Sequence, residues 1–322
     1  MTFVIVVALF VGLLSLCAGI HSAHYSRRIE AKFPAMGDFV EIGGQSSHVI
    51  RYGGAGPFVM MLHGASANAR EFTETLAPHL AGDHRVCLLD RPGHGYSDRP
   101  ARAERLGVQA RQASDVLQAL AAGEPAILVG HSYGGAVALR TTLDYPDQVA
   151  GLVLLAPITH DWGGGGEAWY NRYARHWLLA PFFNPFASLF GPKQAPKAVR
   201  KVFDPAPAPA SYVDSAALGL LFRPKAFRAN AEDVSAVRAE LAAQQARYAE
   251  LKLPVTVYSG AGDTVLSPQR HVGRLKHQVP QLELIKLADD GHMPHHAYAG
   301  EIAARIAQLA MHSPSPGSIN MA

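Results

Sequence analysis

The stretch Ile127-Leu128-Val129-Gly130-His131-Ser132-Tyr133-Gly134-Gly135, followed by Ala136-Val137-Ala138-Leu139, is the one from which the rest of the chain can be read. It has the pattern of a short apolar strand, a turn carrying one serine, and the opening of a helix, which is the setting a G-x-S-x-G nucleophile elbow requires. The strained backbone of such a turn leaves no room for side chains beside the serine, so the positions two before and two after it must be small. Gly130 and Gly134 meet that need. A plain glycine-rich turn has the same pattern, so the chemistry depends on whether the chain supplies partners for Ser132.

On either side of this turn the sequence alternates sheet and helix patterns. Phe39–Ile42 and Ser47–Tyr52 alternate like half-buried strands joined at Gly43-Gly44, which predicts a hairpin. Pro57–Leu62, Val86–Leu89, Ala126–Val129 and Val149–Leu155 are unbroken apolar runs, as expected for strands covered on both faces. Helical patterns lie between them, at Ala69–Leu80, Val108–Ala121 and Tyr133–Asp144. Strand, helix, strand at this spacing predicts an α/β fold, a mostly parallel sheet flanked by helices. From residue 157 to 248 no buried strand is evident, while aromatics crowd together with Gly163–Gly166 and a Pro205–Pro209 segment; this predicts an inserted helical lid. Sheet pattern resumes at Val255–Tyr258 and Leu282–Leu287, separated by a helix over Pro268–Gln278, and a last helix covers Tyr298–Met311. The expected divisions are therefore a core over 36–156 and 249–311, a lid over 157–248, and a disordered tail over 312–322.

Composition excludes some functions. A chain of 322 residues, 48% hydrophobic and 17% charged, holds a large core, and a net charge of +3 without a run of basic residues gives nucleic-acid binding no support. With Cys17 and Cys87 the only cysteines, no disulfide framework is expected. Residues 1–22 are a different matter. Thr2–Ile20 carries no charged side chain and, as a helix, is roughly 27–29 Å long, close to the thickness of a bilayer's hydrocarbon core. Its length and the lack of Lys or Arg before it favour a membrane anchor over a cleaved signal segment, which remains the alternative. Arg27, Arg28 and Lys32 follow the run and favour the cytoplasmic face for the main domain.

A serine hydroxyl needs a base to become a nucleophile at neutral pH, and the base needs an acid to orient it. Asp263, in Gly260-Ala261-Gly262-Asp263-Thr264, follows one late strand, and His292, in Asp289-Asp290-Gly291-His292-Met293-Pro294, follows the last. Ser132, Asp263, His292 is the chain order of an α/β-hydrolase triad. Asp289 and Asp290 adjoin His292 and are read as shaping its loop, whereas Asp161 is a rival acid. Asp90 and His63 are read as structural. The run His292, His295, His296 lacks the accompanying ligands of a metal site, so neither a metal nor a cofactor is expected.

From about Asp38 to Leu309 the sequence resembles the α/β-hydrolase fold superfamily. Two further motifs carry the resemblance beside the elbow, acid and histidine loops: His63-Gly64-Ala65-Ser66 after the third strand and Asp90-Arg91-Pro92-Gly93-His94-Gly95-Tyr96-Ser97 after the fourth. The resemblance implies that the backbone N–H groups of Ala65 and Tyr133 form an oxyanion hole. It also implies that the lid closes over the strands' carboxyl ends, with His63, Trp162, Trp169 and Met293 as candidate pocket residues. The expected partner is a small to medium, moderately hydrophobic carboxylic ester, cleaved through an acyl-enzyme. Hydrolysis of a carbon–carbon bond in a dienoate-type ketone by the same three residues is the alternative, and a catalytically idle, membrane-attached relative is the alternative outside enzymes.

Overall fold

The structure, a computed structural model, describes residues 1–164 and 168–311. The last two glycines of the Gly163–Gly166 run and the 312–322 tail lie outside the described residues. Eight strands form one sheet: β1 Asp38–Ile42, β2 Gln45–Tyr52, β3 Phe58–Leu62, β4 Arg85–Leu89, β5 Ala126–His131, β6 Val149–Leu155, β7 Val255–Gly260 and β8 Glu283–Leu287, in the spatial order β1-β2-β4-β3-β5-β6-β7-β8. The hairpin turns where expected, with Gly43 and Gly44 both at positive φ, which glycine adopts without strain. Strand β2 lies antiparallel to β1 and β4, and every other pairing is parallel.

The unbroken apolar runs are explained by what covers them. Met60, Leu62, Leu128 and Leu154 enter one core layer, under helix α2 (Leu106–Leu120) and helix α3 (Tyr133–Asp144). Their neighbours Val59, Met61, Val129 and Val153 enter the other, under the C-terminal helix and the Ala69–Leu80 segment. Each such side chain contributes roughly 1.5–3 kcal/mol by its burial, on whichever face it lies. The chain leaves β3 at the middle of the sheet, builds β4 on one side and returns to β5 on the other. Such a reversal opens a crevice at the carboxyl ends of the strands.

Between β6 and β7 every described element is helical. The long helix α4 (Ala187–Phe203) and the 21-residue helix α5 (Pro224–Gln244) frame this insertion. Helix α5 ties it to the core through polar groups: Asp233 is fully buried between Arg91 and Arg99, and Asn230 accepts the Ser66 N–H at 2.7 Å.

Three expectations are corrected. The Ala69–Leu80 segment is a tight turn (Ala69–Phe72) and a short helix (Leu76–Leu80), because Asn68 caps its start and Asp90 takes the Ala69 N–H. Pro268–Gln278 likewise divides into a wide turn over Gln269–Gly273 and a helix over Arg274–Gln278. The N-terminal helix α1 does not stop with the 1–22 segment but continues from Thr2 to Lys32. Its last third docks on the insertion: Tyr25 donates to the Gly219 carbonyl, and Glu30 and Lys32 pair with Arg223 and Asp214. It is the one described helix long and apolar enough to cross a membrane.

Candidate active site

Strand β5 ends at His131 and α3 begins at Tyr133, so Ser132 takes the whole change of direction, at φ +50° and ψ −112°. A non-glycine residue there costs about 1–3 kcal/mol and persists only where its surroundings enforce it. They do so through hydrogen bonds. The Ser132 N–H donates to the Leu155 carbonyl, while the Ser132 carbonyl accepts from Gly135 and Ile158. The flanking glycines are required by crowding. A Cβ at Gly134 would lie 2.0 Å from the Leu62 carbonyl oxygen, and one at Gly130 2.6 Å from that of Gly134.

Ser132, Asp263 and His292 leave the carboxyl ends of β5, β7 and β8 and meet there. His292 Nε2 is 3.0 Å from Ser132 Oγ, and His292 Nδ1 is 2.8 Å from Asp263 Oδ2. The other carboxylate oxygen accepts the N–H groups of Val265 and Leu266, which fixes the orientation of the acid. Burial pushes the Asp263 carboxyl up, but the His292 hydrogen bond and charge and the two N–H donors outweigh it and hold it ionised. Burial likewise drives His292 down, and Asp263 only partly restores it. The imidazole is therefore neutral, and able to accept a proton, at neutral pH.

The Gly64–Ala65 loop after β3 lies beside the elbow, since a Cβ on Gly64 would sit 3.4 Å from that of Ser132. Neither the Ala65 nor the Tyr133 N–H is taken by an acceptor among the described residues. Asp161 pairs with Arg238 at the surface, away from His292. Asp290 accepts the Gly291 N–H and shapes the loop. Asp90 receives the N–H groups of Ala69 and Tyr96 and meets His48 at 2.6 Å, holding its turn.

The candidate pocket residues divide. Met293 is buried between His292 and the insertion, against Phe203 and Tyr212. Trp162 packs on the core beside His271, with the Arg238 guanidinium over its ring. His63 is fully buried and spends both ring nitrogens, on the Gly64 carbonyl and the Arg91 N–H. Trp169 stands on the outer face of the insertion, 73% exposed. A cavity of about 250 Å³ lies at the junction of α1 and the insertion, lined by Tyr25, Ile29 and Phe222, and not over Ser132.

A second layer of charge lies beneath the triad, and nothing in the residue spacing announced it. Glu71 is fully buried; one carboxylate oxygen accepts the Gly64 N–H at 3.0 Å, and the other meets His131 Nδ1 at short range and lies 3.4 Å from His295 Nε2. Burial acts against charge on both partners. Even so, the pairing holds Glu71 well below the usual carboxylate range and His131 above the usual histidine value. Both ring nitrogens of His131 face acceptors, Nδ1 the Glu71 carboxylate and Nε2 the His292 carbonyl at 2.9 Å, an arrangement that the protonated ring satisfies. One side chain, next to Ser132 in sequence, pins the backbone of His292. His295 lies against this pair, its ring 4.8 Å from that of His131 between centroids, and His296 packs its ring on Phe203 and Tyr212. The ligand-type group that does assemble is Glu71, His131 and His295.

A family model of the alpha/beta hydrolase fold matches residues 57–297, and the chain belongs to that family. It is 36% identical over 139 residues to the magnesium-chelatase 30 kDa subunit of Rhodobacter capsulatus, covering 42% of this chain and 47% of the relative. It is also 36% identical over 122 residues to the 2-hydroxy-6-oxo-6-phenylhexa-2,4-dienoate hydrolase of Burkholderia cepacia, covering 37% and 41% of the two chains. The chain thus spans less than half the length of these curated relatives. The crystal structure of an alpha/beta hydrolase fold protein from Burkholderia ambifaria superposes with a TM-score of 0.70 at 21% identity, over 85% of this chain and 97% of that one.

Proposed function

We propose that the chain is a serine hydrolase that cleaves a small to medium, moderately hydrophobic carboxylic ester. The observation that carries this reading is the continuous hydrogen-bond path from Ser132 Oγ through His292 to Asp263. In this reading His292 takes the hydroxyl proton as Ser132 Oγ bonds to the ester carbonyl carbon. The electron pair moves to the carbonyl oxygen, where the Ala65 and Tyr133 N–H groups receive the charge. As the tetrahedral intermediate collapses, His292 returns the proton to the departing alcohol. Water then attacks the acyl-enzyme with the same base, and the carboxylic acid leaves. Asp263 stabilises the imidazolium at each stage. The apolar side chains that the insertion sets against Met293, beside His292, namely Val199, Phe203 and Tyr212, support an uncharged substrate.

The named hydrolase of Burkholderia cepacia favours a second reading, in which the same residues cleave a carbon–carbon bond of a dienoate-type ketone. Rates on nitrophenyl esters of increasing acyl length, set against rates on such ketones, separate the two; turnover of the ketone alone overturns the ester reading. A fluorophosphonate probe tests for catalysis of either kind. Folded protein that it fails to label is not a serine hydrolase, and the idle, membrane-attached reading then takes its place.

A further inference from the structure

We propose that the outer face of the helical insertion is a second membrane contact, seated in the headgroup region of an anionic bilayer beside the point where α1 enters it. Trp169, Trp177, Leu178, Leu179, Phe182 and Phe190 are all exposed on this insertion, Trp177 at 76%. Large apolar side chains exposed in this number along one segment mark a surface that something covers.

Two observations identify the cover. The first is charge. From Trp169 through Phe203 the chain places six Lys and Arg residues (Arg172, Arg175, Lys193, Lys197, Arg200 and Lys201) and no Asp or Glu, although the whole chain has 29 and 26 of the two kinds. All six are exposed. Exposed aromatic and basic side chains interleaved along one stretch of the insertion match the boundary between acyl chains and anionic headgroups, where Trp keeps its ring in apolar surroundings and its N–H at the polar level.

The second is continuity. The helix Ala180–Phe183, the turn Asn184–Phe186 and α4 all pack on α1. From there Phe183 reaches Tyr173 at 5.6 Å and Trp169 at 6.2 Å between ring centroids, so the aromatic face is joined to the docked end of α1. The exposed apolar residues of α1, Leu9, Phe10, Leu13 and Leu16 among them, precede that docked end. A bilayer around them brings its surface to the insertion. Helix α4 exposes Phe190 near one end and near the other packs Val199 and Phe203 with Met293, next to His292. The membrane contact and the site thus share one helix.

The inference rests on reading α1 as a membrane anchor, and one experiment reads the two separately. The full chain with Trp162→Phe, which leaves Trp169 and Trp177 as its only tryptophans, is reconstituted in phosphatidylcholine vesicles with about 30% phosphatidylglycerol. Flotation reports the anchor. Lipids brominated near the top of the acyl chain report the cap, and the expected result is at least about a twofold loss of tryptophan emission. Lys193→Glu with Lys197→Glu should weaken that quenching while the chain still floats. A chain that floats with unquenched tryptophans overturns the proposal, and cross-linked dimers in the same sample would assign the face to a second copy. A chain that does not float overturns both readings.

Discussion

At the carboxyl ends of the strands, charged side chains are buried and paired; on the outer face of the insertion, uncharged aromatic side chains are exposed. Asp263, His292, Glu71 and His131 are each enclosed, and each charge among them meets an opposite charge or an N–H donor. Trp169, Trp177 and Phe190 have no such enclosure. The contrast separates two tasks. Buried polar groups must be held in one arrangement, because an unpaired one costs several times what a pair contributes. An exposed apolar face has no such constraint and is free to take a partner.

The largest effect is expected at Ser132. Ser132→Ala should lower kcat by about 10⁴-fold or more, and thermal unfolding should change little, because the strained turn is enforced by main-chain bonds that alanine keeps. Unchanged turnover would remove the catalytic meaning of the whole buried cluster. Next comes Asp263→Asn, which keeps the shape but removes the charge that steadies the imidazolium; kcat should fall by roughly 10³–10⁴-fold. The pH profile of the unaltered protein carries the matching sign. Since His292 lies below the ordinary histidine value, kcat/KM should hold level through pH 7 and decline only as the pH drops below about 6.5.

The second layer is tested through stability. Glu71→Gln leaves the His131 imidazolium without its counter-charge in the interior and should cost about 3–5 kcal/mol. His131 has a raised pKa, so its share of the pair's stability is present below about 6.5 and lost as the pH rises through the folded value. Glu71 has a depressed pKa, and its share is present above about 4.5 and lost as the pH falls through the folded value. The stability gap between the unaltered protein and the variant should therefore be widest between these limits and shrink on the alkaline side. Denaturant unfolding at pH 5.5 and pH 9, as roughly bracketing values, checks this. An equal gap at both would refute the ion pair.

How much of this the sequence disclosed follows from the same physics. The strands were legible because burial on both faces demands unbroken apolar runs, and the elbow because crowding demands Gly130 and Gly134. The chain order of Ser132, Asp263 and His292 pointed to three side chains that the fold brings into hydrogen-bond contact. Glu71 was illegible, since its pairing with His131 across sixty positions depends on tertiary packing that no local spacing records. The end of α1 was missed for a similar reason. What docks it is tertiary: Tyr25 bonds to Gly219, Ile29 and Phe33 pack with Leu220, and Glu30 and Lys32 pair with Arg223 and Asp214.

Substitutions on the outer face of the insertion should cost least. Trp177 and Phe190 touch neither the triad nor its supporting layer, and surface substitutions away from special features usually change stability by no more than about 0.5 kcal/mol. Trp177→Ser with Phe190→Ser should therefore leave the rate on a short, water-soluble ester within about twofold, measured in detergent where no bilayer is present. On a long-chain ester dissolved in anionic vesicles the same variant should lose several-fold more, because each buried aromatic adds to binding at the interface. If the losses on the two substrates are equal, the outer face acts through folding and the separation of tasks fails. If only the vesicle rate falls, the insertion governs how substrate is met while the buried cluster governs how it is cut.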